Sequence, residues 1–521
     1  RQRAPGRLGQ RLSHSMPAAA AEEVALVALV AFHGFSVTDE VARLIRQPQV
    51  AGVTLFRGLN IESAAQTRRL TDELQRAGGG RLLIAIDQEG GQLLGAGAET
   101  TAFAGNLALG AVGDADLTRR VGNAIGLELR ALGINLNYAP VADVASRPYN
   151  PSLGIRSFGE EPGEVARMTA AMVSGLQQAG VAATLKHFPG KGEATVDPHY
   201  ELPVLDLDLE RLERVEFAPF RAGIEAGARL VMVGHYGLPA VTGDRALPAS
   251  ASPGVLQGLI RGSLGFGGVI VTDALDMGAF GGLAPETPLR AGADLLLLGP
   301  AQAGASVTGM ADQSGRVDDL LKWLDQFPQP KLTVVGCSAH RLLADELAAR
   351  SITHVRDLNG LLPLDSGGRV LVVMPRPIDL TPADSSSYVE PGLAAAIRDQ
   401  HPAVTEIVVA AHPTPGEIES VVEQADRHDV LIFGTIDANR EQADLMQSCL
   451  VTGKPTVGLA LRTPYDLALF PELPTYVCTY GIHPPSLQAV AAALFGKATF
   501  PGHLPVSIPG LYPVGHSGLA G

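Results

Sequence analysis

Apolar and polar positions follow one repeated order along the first two-thirds of the chain: a short apolar run, a loop, and an amphipathic stretch. The apolar runs are continuous rather than alternating, which is typical of parallel strands buried on both faces. They number about eight, the strand count of a (β/α)8 barrel. The runs are Val24–Phe32, Val50–Phe56, Leu82–Asp87, Ile134–Pro140, Val181–His187, Leu230–His235, Gly268–Asp273 and Leu295–Leu298.

Segments with the apolar spacing of a helix separate several of these runs, and four of them end at a glycine, a frequent helix C-cap residue. They are Ala64–Gly78, Leu117–Gly133, Gly163–Gly180 and Leu212–Gly227. Strands and helices in alternation favour a parallel sheet built from βα units. The pattern therefore predicts an α/β protein whose N-terminal part is a (β/α)8 TIM-type barrel.

A different pattern of strand-like and helical segments begins near residue 366. Strand-like runs alternate there with helical segments such as Gly416–Ala425 and Glu441–Leu450, which is typical of an open, doubly wound α/β domain. The runs are Arg369–Met374, Glu406–Ala411, Val430–Gly434, Thr456–Ala460 and Thr475–Tyr480. We predict a catalytic barrel domain over residues 1–327, a linker over 328–365 and a C-terminal α/β sandwich domain over 366–521.

The composition restricts the class of partner. The 521 residues carry a formal net charge of -14 and no long basic run, which argues against nucleic acid, since phosphate binding needs clustered Lys and Arg. Cys337, Cys449 and Cys478 are too few and too far apart for a disulfide framework or a metal site. Three scattered thiols fit a reducing compartment.

The apolar run near the N-terminus bears on location. Val24–Phe32 is too short to span a bilayer, and Glu22 and Glu23 directly precede it, which argues against the core of a signal peptide. We therefore predict no membrane association and a cytoplasmic protein. Because the chain begins at Arg1 rather than at a methionine, a removed or omitted leader stays an open alternative.

Ionisable residues close four of the predicted strands: Asp87, the pair Lys186 and His187, His235, and Asp273. The loops after the strands build the active site of a (β/α)8 barrel, so these side chains belong to one rim. A single Asp after a strand is more often a helix cap or a turn residue, but caps do not require His and Lys. We therefore predict a catalytic or binding site at this rim.

Several kinds of chemistry lack their motifs in this sequence. The chain has no Cys and His cluster with zinc spacing, no GxSxG elbow, and neither a phosphate-binding P-loop nor a convincing GxGxxG fingerprint. Carboxylates and proton donors on a barrel without a cofactor suit glycoside cleavage, in which one carboxylate attacks and another group protonates the leaving oxygen. We predict no metal and no organic cofactor.

Spaced motifs around these residues resemble glycoside hydrolase family 3, in its two-domain bacterial β-N-acetylglucosaminidase branch. They are IDQEGG at 86–91, NPSLGIRSFG at 150–159, KHFPGKG at 186–192, DPH at 197–199 and VTDALDMGA at 271–279. Further segments at 350–364, 461–496 and 504–510 resemble the junction into the second domain and that domain's end. The resemblance covers nearly the whole chain in the expected order.

The resemblance implies a role for each matched residue. Asp273 matches the nucleophile that forms a covalent glycosyl-enzyme, and His199, paired with Asp197, matches the acid/base. The positions that match family residues binding the sugar hydroxyls are Asp87, Arg156, Lys186 and His187. His235 is expected to have a supporting role. An imidazole can give and take a proton near neutral pH, and a neighbouring carboxylate orients it. On spacing alone, DPH is an ordinary Pro-containing turn.

The function implied by the resemblance is a retaining exo-β-N-acetylglucosaminidase that acts on a small saccharide or a muropeptide. Two alternatives stay open: a phosphorylase that passes the sugar to phosphate at the same site, and a saccharide-binding protein without catalysis. A nicotinamide or nucleotide enzyme built on the second domain is disfavoured, because that domain lacks the glycine fingerprint. The oligomeric state cannot be read from the pattern.

The sequence departs from the family pattern at three positions near the motifs. Family members often have Arg where this chain has Gln92, many have His where it has Lys191, and Asp is common where it has Glu193. The loop after Gly278 also looks shorter than usual. None of these departures removes a residue with an implied catalytic role, so we expect them to affect specificity.

Overall fold

A computed structural model describes residues 26–302, 315–365 and 367–518. Its N-terminal part is a closed barrel in which every neighbouring pair of strands is parallel. The strands are β1 (Ala28–Val30), β2 (Val50–Thr54), β3 (Leu83–Ile86), β4 (Leu136–Asn137), β5 (Ala182–Phe188), β6 (Leu230–Val233), β7 (Val269–Ala274) and β8 (Leu295–Leu297). The (β/α)8 prediction is confirmed; Val24 and Ala25 of the first predicted strand lie outside the described residues.

Helices surround the barrel, as the apolar spacing predicts. Gly133, Gly180 and Gly227 follow three of them with φ angles of 82°, 81° and 87°, a left-handed conformation that glycine adopts without steric cost. The α-helices of this part are Asp39–Ile45, Arg57–Asn60, Ala64–Ala77, Asn106–Val112, Ala115–Ala131, Pro162–Gln178, Leu209–Arg211, Phe217–Glu225, Pro239–Thr242, Thr287–Ala291, Arg316–Leu324 and Ser338–Ser351. The wider turns of π-helices occur at Leu212–Glu216 and Gly254–Ser263.

The C-terminal part is a six-stranded sheet with helices, built from β9 (Thr353–Asp357), β10 (Val370–Pro375), β11 (Val404–Val409), β12 (Val430–Thr435), β13 (Thr456–Ala460) and β14 (Thr475–Cys478). The strand order is β9-β14-β13-β12-β10-β11. All neighbours are parallel except β9 and β14. The helices of this part are Leu393–Arg398, Pro415–Ala425, Arg440–Leu450 and Pro484–Leu494.

The stretch 328–365, predicted to be a linker, differs from that expectation. It contains β9, which is an edge strand of the second sheet, and the helix Ser338–Ser351, which packs against Asn106–Val112 of the barrel part and against Pro484–Leu494. One face of this helix is buried, through Leu343, Ala344, Leu347 and Ala348. The stretch therefore forms part of the packing between barrel and sheet.

The second part lies against the barrel near the ends of its strands. The N–H and Oγ of Ser385 donate hydrogen bonds of 2.8 and 2.9 Å to the carbonyl oxygen of Gln92. His483 lies with its Nε2 2.9 Å from the carbonyl oxygen of Gly91. The Ser385 contacts hold the segment Asp379–Tyr388 over the barrel opening. Within the described ranges, no helix combines the length and the apolar character needed to cross a bilayer.

Candidate active site

A cavity of about 540 Å³ lies at the carboxyl ends of the barrel strands. Six of the residues predicted from the sequence line it: Asp87, Arg156, Lys186, His187, His199 and Asp273. Asp87 follows β3, Lys186 and His187 lie in β5, and Asp273 lies in β7. The barrel topology therefore brings together side chains that are up to 186 residues apart in the sequence.

Four charged side chains form a buried network on one wall of this cavity. The Nζ of Lys186 lies 2.6 Å from an oxygen of Asp87 and 2.5 Å from an oxygen of Glu89. The guanidinium of Arg156 donates two hydrogen bonds of 2.9 Å to Glu89, one to each carboxylate oxygen. Bidentate pairs of this kind fix both position and orientation, so Lys186 and Arg156 keep one arrangement.

The same network keeps Glu89 and Lys186 charged, whereas burial raises the pKa of Asp87. Burial alone would raise the pKa of Glu89, but the charges and hydrogen bonds of Arg156 and Lys186 outweigh it and bring the pKa to about 2. Burial likewise opposes the charge of Lys186, and the carboxylates of Asp87 and Glu89 more than offset it, so the pKa of Lys186 is raised. The cavity wall thus presents fixed charges at neutral pH.

His187 is held by a buried carboxylate that the sequence analysis did not single out. The Nδ1 of His187 lies 2.8 Å from an oxygen of Asp143, whose other oxygen accepts the backbone N–H of His187 at 3.1 Å. Burial, followed by the charges of Lys191 and Arg156, lowers the pKa of His187 well below its usual value. The ring is therefore neutral, with Nδ1 donating to Asp143 and Nε2 accepting, 3.4 Å from the guanidinium of Arg156.

His199 and Asp197 form a dyad on the loop after β5. The Nδ1 of His199 lies 2.6 Å from an oxygen of Asp197, which also accepts the backbone N–H of His199 at 3.0 Å. The carbonyl oxygens of Pro198 and His199 accept backbone hydrogen bonds of 3.1 and 2.9 Å from the segment that follows β7. The loop is thereby attached beside Asp273, with Nε2 of His199 left unbonded by protein groups of the described part.

The carboxylate of Asp197 stays ionised. Burial would raise its pKa, but the hydrogen bonds from the His199 ring and backbone outweigh that effect, so the pKa lies below the usual range. An ionised carboxylate on Nδ1 orients an imidazole and stabilises its protonated form.

Asp273 is half-buried at the end of β7, and one of its oxygens accepts the backbone N–H of Ala274 at 2.9 Å. No Lys, Arg or His within the described residues forms an ion pair with it. His235 does not line the cavity. It is fully buried behind β7, where its ring contacts the Oγ of Ser250 at 2.7 Å and the carbonyl oxygen of Ala274 at 3.0 Å.

Several residues that line the cavity or hold its side chains in place were missed by the sequence analysis. Glu89 lies inside the IDQEGG motif and Asp143 inside an otherwise apolar stretch. Both are buried, and the signal in the sequence was a carboxylate among residues expected to be buried. Part of the wall comes from the second domain, through Asp379, Ser385 and Tyr388. The ring of Tyr388 lies 4.1 Å from the guanidinium of Arg57, which also lines the cavity. No sequence signal indicated this contribution.

The three departures from the family pattern have different surroundings. Gln92 points its amide to the carbonyl oxygen of Ala383, 3.4 Å away in the second domain. Glu193 is paired with Arg211 at 3.2 Å, outside the cavity. Lys191, by contrast, lines the cavity itself.

Comparison with known proteins agrees with this architecture. The model of the glycosyl hydrolase family 3 N-terminal domain matches residues 20–318. The chain belongs to glycosyl hydrolase family 3. It is therefore a glycoside hydrolase, with the barrel as the part that the family model covers.

Relatives of this family 3 chain extend over both domains. β-Hexosaminidase A of Pseudoalteromonas piscicida is 31% identical, with 90% of this chain and 91% of the relative aligned. A β-N-acetylglucosaminidase/β-glucosidase of Cellulomonas fimi is 31% identical over 89% of each chain. The structure of a family 3 β-N-acetylglucosaminidase from Paenibacillus superposes with a TM-score of 0.87 at 32% identity, covering 94% of this chain and 99% of that one.

Proposed function

We propose that this family 3 hydrolase is a retaining exo-β-N-acetylglucosaminidase with Asp273 as nucleophile and His199 as acid/base. The observation that carries the proposal is that Asp273 and His199 line one cavity, with the His199 ring held by Asp197 behind it. The preference for a C2-acetamido sugar rests on relatives named β-hexosaminidase and β-N-acetylglucosaminidase, which align over about nine-tenths of the chain.

The reaction proceeds in two displacements. The carboxylate of Asp273 attacks the anomeric carbon while the bond to the leaving oxygen breaks, and His199 gives its proton to that oxygen. The product is a glycosyl ester of Asp273 and a neutral His199. His199 then takes a proton from water as the water oxygen displaces Asp273 from the anomeric carbon. Both groups return to their starting states, and the configuration at the anomeric carbon is retained.

The charged wall holds the sugar while these bonds change. Asp87 accepts hydrogen bonds from sugar hydroxyls, and Lys186, Arg156 and His187 bind the sugar through their N–H groups and the acceptor nitrogen of the imidazole. Because these groups are already fixed by Glu89 and Asp143, little reorganisation is needed when substrate enters. A cavity of this size admits a terminal sugar, and its opening by the second domain receives the leaving saccharide or muropeptide.

Phosphorolysis is the second candidate, and one observation favours it. The acid/base is an imidazole, which in its neutral or protonated form does not repel phosphate as a carboxylate would. The fold comparison includes a β-glucoside phosphorylase with a TM-score of 0.77 at 23% identity, which supports a common fold alone. Inorganic phosphate would then replace water in the second displacement.

The test is release of p-nitrophenol from p-nitrophenyl β-N-acetylglucosaminide, with and without phosphate. We expect free N-acetylglucosamine as product, no dependence on phosphate, and a loss of about 10³-fold or more in Asp273→Asn, whose nucleophile is removed. Asp244→Asn, an exposed position on the barrel, is the matched control and keeps the wild-type rate. Formation of the sugar 1-phosphate would change the reaction to phosphorolysis, and an active Asp273→Asn protein would contradict the proposed nucleophile.

A further inference from the structure

Lys191 is a buried cation of the catalytic cavity to which neither the family motifs nor the mechanism above gives a task. It lines the cavity, and only 2% of its surface is exposed. Its backbone N–H donates to Asp143 at 2.9 Å, and its carbonyl oxygen accepts the side-chain amide of Asn150 at 2.9 Å. The backbone at this position is therefore held firmly on both sides.

The ammonium of Lys191 has fewer polar partners than Arg156 and Lys186. Its Nζ donates one hydrogen bond of 3.0 Å, to the carbonyl oxygen of Ser152. No carboxylate of the described part lies within ion-pair distance of it, whereas Arg156 is paired with Glu89, and Lys186 with Glu89 and a second carboxylate. Two of its three N–H groups are thus without a protein acceptor in the described ranges. A buried charge without a hydrogen-bonding partner has a high free-energy cost. A ligand oxygen that accepts from the ammonium would lower this cost.

The position of the ammonium relative to its neighbours indicates which part of a bound ligand it would contact. The carbonyl oxygen of Ser152 accepts hydrogen bonds from the Nζ of Lys191 and from the guanidinium of Arg156, each at 3.0 Å. Asp143 binds both the backbone of Lys191 and the ring of His187. Lys191 therefore lies on the side of the cavity that His187 and Arg156 form, where the proposed function puts the terminal sugar.

We propose that Lys191 is a further substrate-binding residue, whose free N–H groups donate to an oxygen of the terminal sugar on the side of His187 and Arg156. The proposal rests on the proposed function, since it takes the occupant of the cavity to be that sugar. The contact is strong only in the ammonium form, because hydrogen bonds from a charged donor exceed those from a neutral amine.

The surroundings of Lys191 make this contact dependent on pH. Burial, and next the charge of Arg156, lower the pKa of Lys191 to about 7, against the opposing effect of nearby carboxylates. The charged and titratable groups that interact with the ammonium include Arg156, Asp143, Glu89, Asp273, His187 and Asp197. The ammonium form prevails below about pH 7 and is lost above it, so sugar binding weakens as pH rises towards 9.

Steady-state kinetics with p-nitrophenyl β-N-acetylglucosaminide test the proposal through Lys191→Gln and Lys191→Met. We expect KM to rise about ten-fold below pH 7 in both variants, with a smaller change in kcat, because one hydrogen bond from a charged group is lost. The rise of the wild-type KM between pH 7 and 9 disappears in both. Lys497→Gln, an exposed lysine, serves as control and follows the wild-type profile.

Calorimetric titration of the wild-type protein with N-acetylglucosamine from pH 6 to 9 provides a second measurement that needs no variant. We expect the Kd to rise about ten-fold over this range. A constant Kd, or variants with the wild-type KM at every pH in an active enzyme, would overturn the role of Lys191 and leave the proposed function standing. A wild-type protein that neither binds this sugar nor turns over its glycoside would overturn the proposed function and this inference with it.

Discussion

At the scale of single residues, Glu89 connects stability with the arrangement of the sugar-binding cations. Its carboxylate is nearly inaccessible and bonds both Arg156 and Lys186. Removing one member of a buried ion pair leaves the others without compensation, at a cost of about 3–5 kcal/mol. We expect Glu89→Gln to lower the temperature of unfolding and to reduce turnover, because Arg156 and Lys186 lose their common partner. Glu423→Gln, at an exposed position, is the matched control.

The pH dependence of stability follows from the same carboxylate. The pKa of Glu89 is about 2 in the folded protein, below the usual glutamate value of 4.5. A depressed carboxyl pKa contributes stability above the unfolded value, and this contribution is lost as pH falls through the folded value. Unfolding temperatures measured from pH 5 down to pH 2 should therefore fall less steeply in Glu89→Gln than in the wild type. Equal slopes would show that Glu89 does not carry this part of the acid sensitivity.

At the scale of elements, the apolar pattern predicted the ends of the barrel strands, whereas the loop residues Arg156 and His199 were indicated only by the family motifs. Continuous apolar runs gave the strands, and an ionisable residue at the end of a run marked Asp87, Lys186, His187 and Asp273 as rim residues. The same logic included His235, yet its ring lies behind β7 on Ser250. A strand-end position fixes the rim but not the direction of the side chain, since that depends on neighbouring strands.

The segment Asp379–Tyr388 is the element by which the second domain enters the cavity. Ser385 holds it, because its Oγ accepts the backbone N–H of Leu94 at 3.0 Å and donates to the carbonyl oxygen of Gln92 at 2.9 Å. Loss of buried hydrogen bonds costs about 1–3 kcal/mol, so we expect Ser385→Ala to loosen the segment. KM for a disaccharide substrate should rise several-fold more than KM for p-nitrophenyl β-N-acetylglucosaminide. Ser448→Ala, on an outer helix, is the control, and an equal change for both substrates would argue against a contact with the leaving saccharide.

At the scale of the whole molecule, the repeated pattern was sufficient for the barrel and for the existence of a second α/β unit. The pattern could not predict how the barrel and the second domain pack against each other. The hydrogen bonds that place the second domain at the site join Ser385 to Gln92 and Leu94. These residues lie 293 and 291 positions from Ser385 in the sequence. The helix Ser338–Ser351 and β9 were predicted to be linker, because their roles depend on partners that lie far away in the sequence.

The proposed mechanism depends on one covalent bond, between the anomeric carbon of the sugar and Asp273. Incubation with an activated 5-fluoro β-N-acetylglucosaminide slows both displacements and allows the glycosyl-enzyme to accumulate, and mass spectrometry of the digested protein then locates the sugar. We expect one fluorosugar per chain, on the peptide that contains Asp273, and none in Asp273→Asn. A fluorosugar on another carboxylate, such as Asp87, or an active enzyme that forms no adduct at all, would contradict Asp273 as the nucleophile.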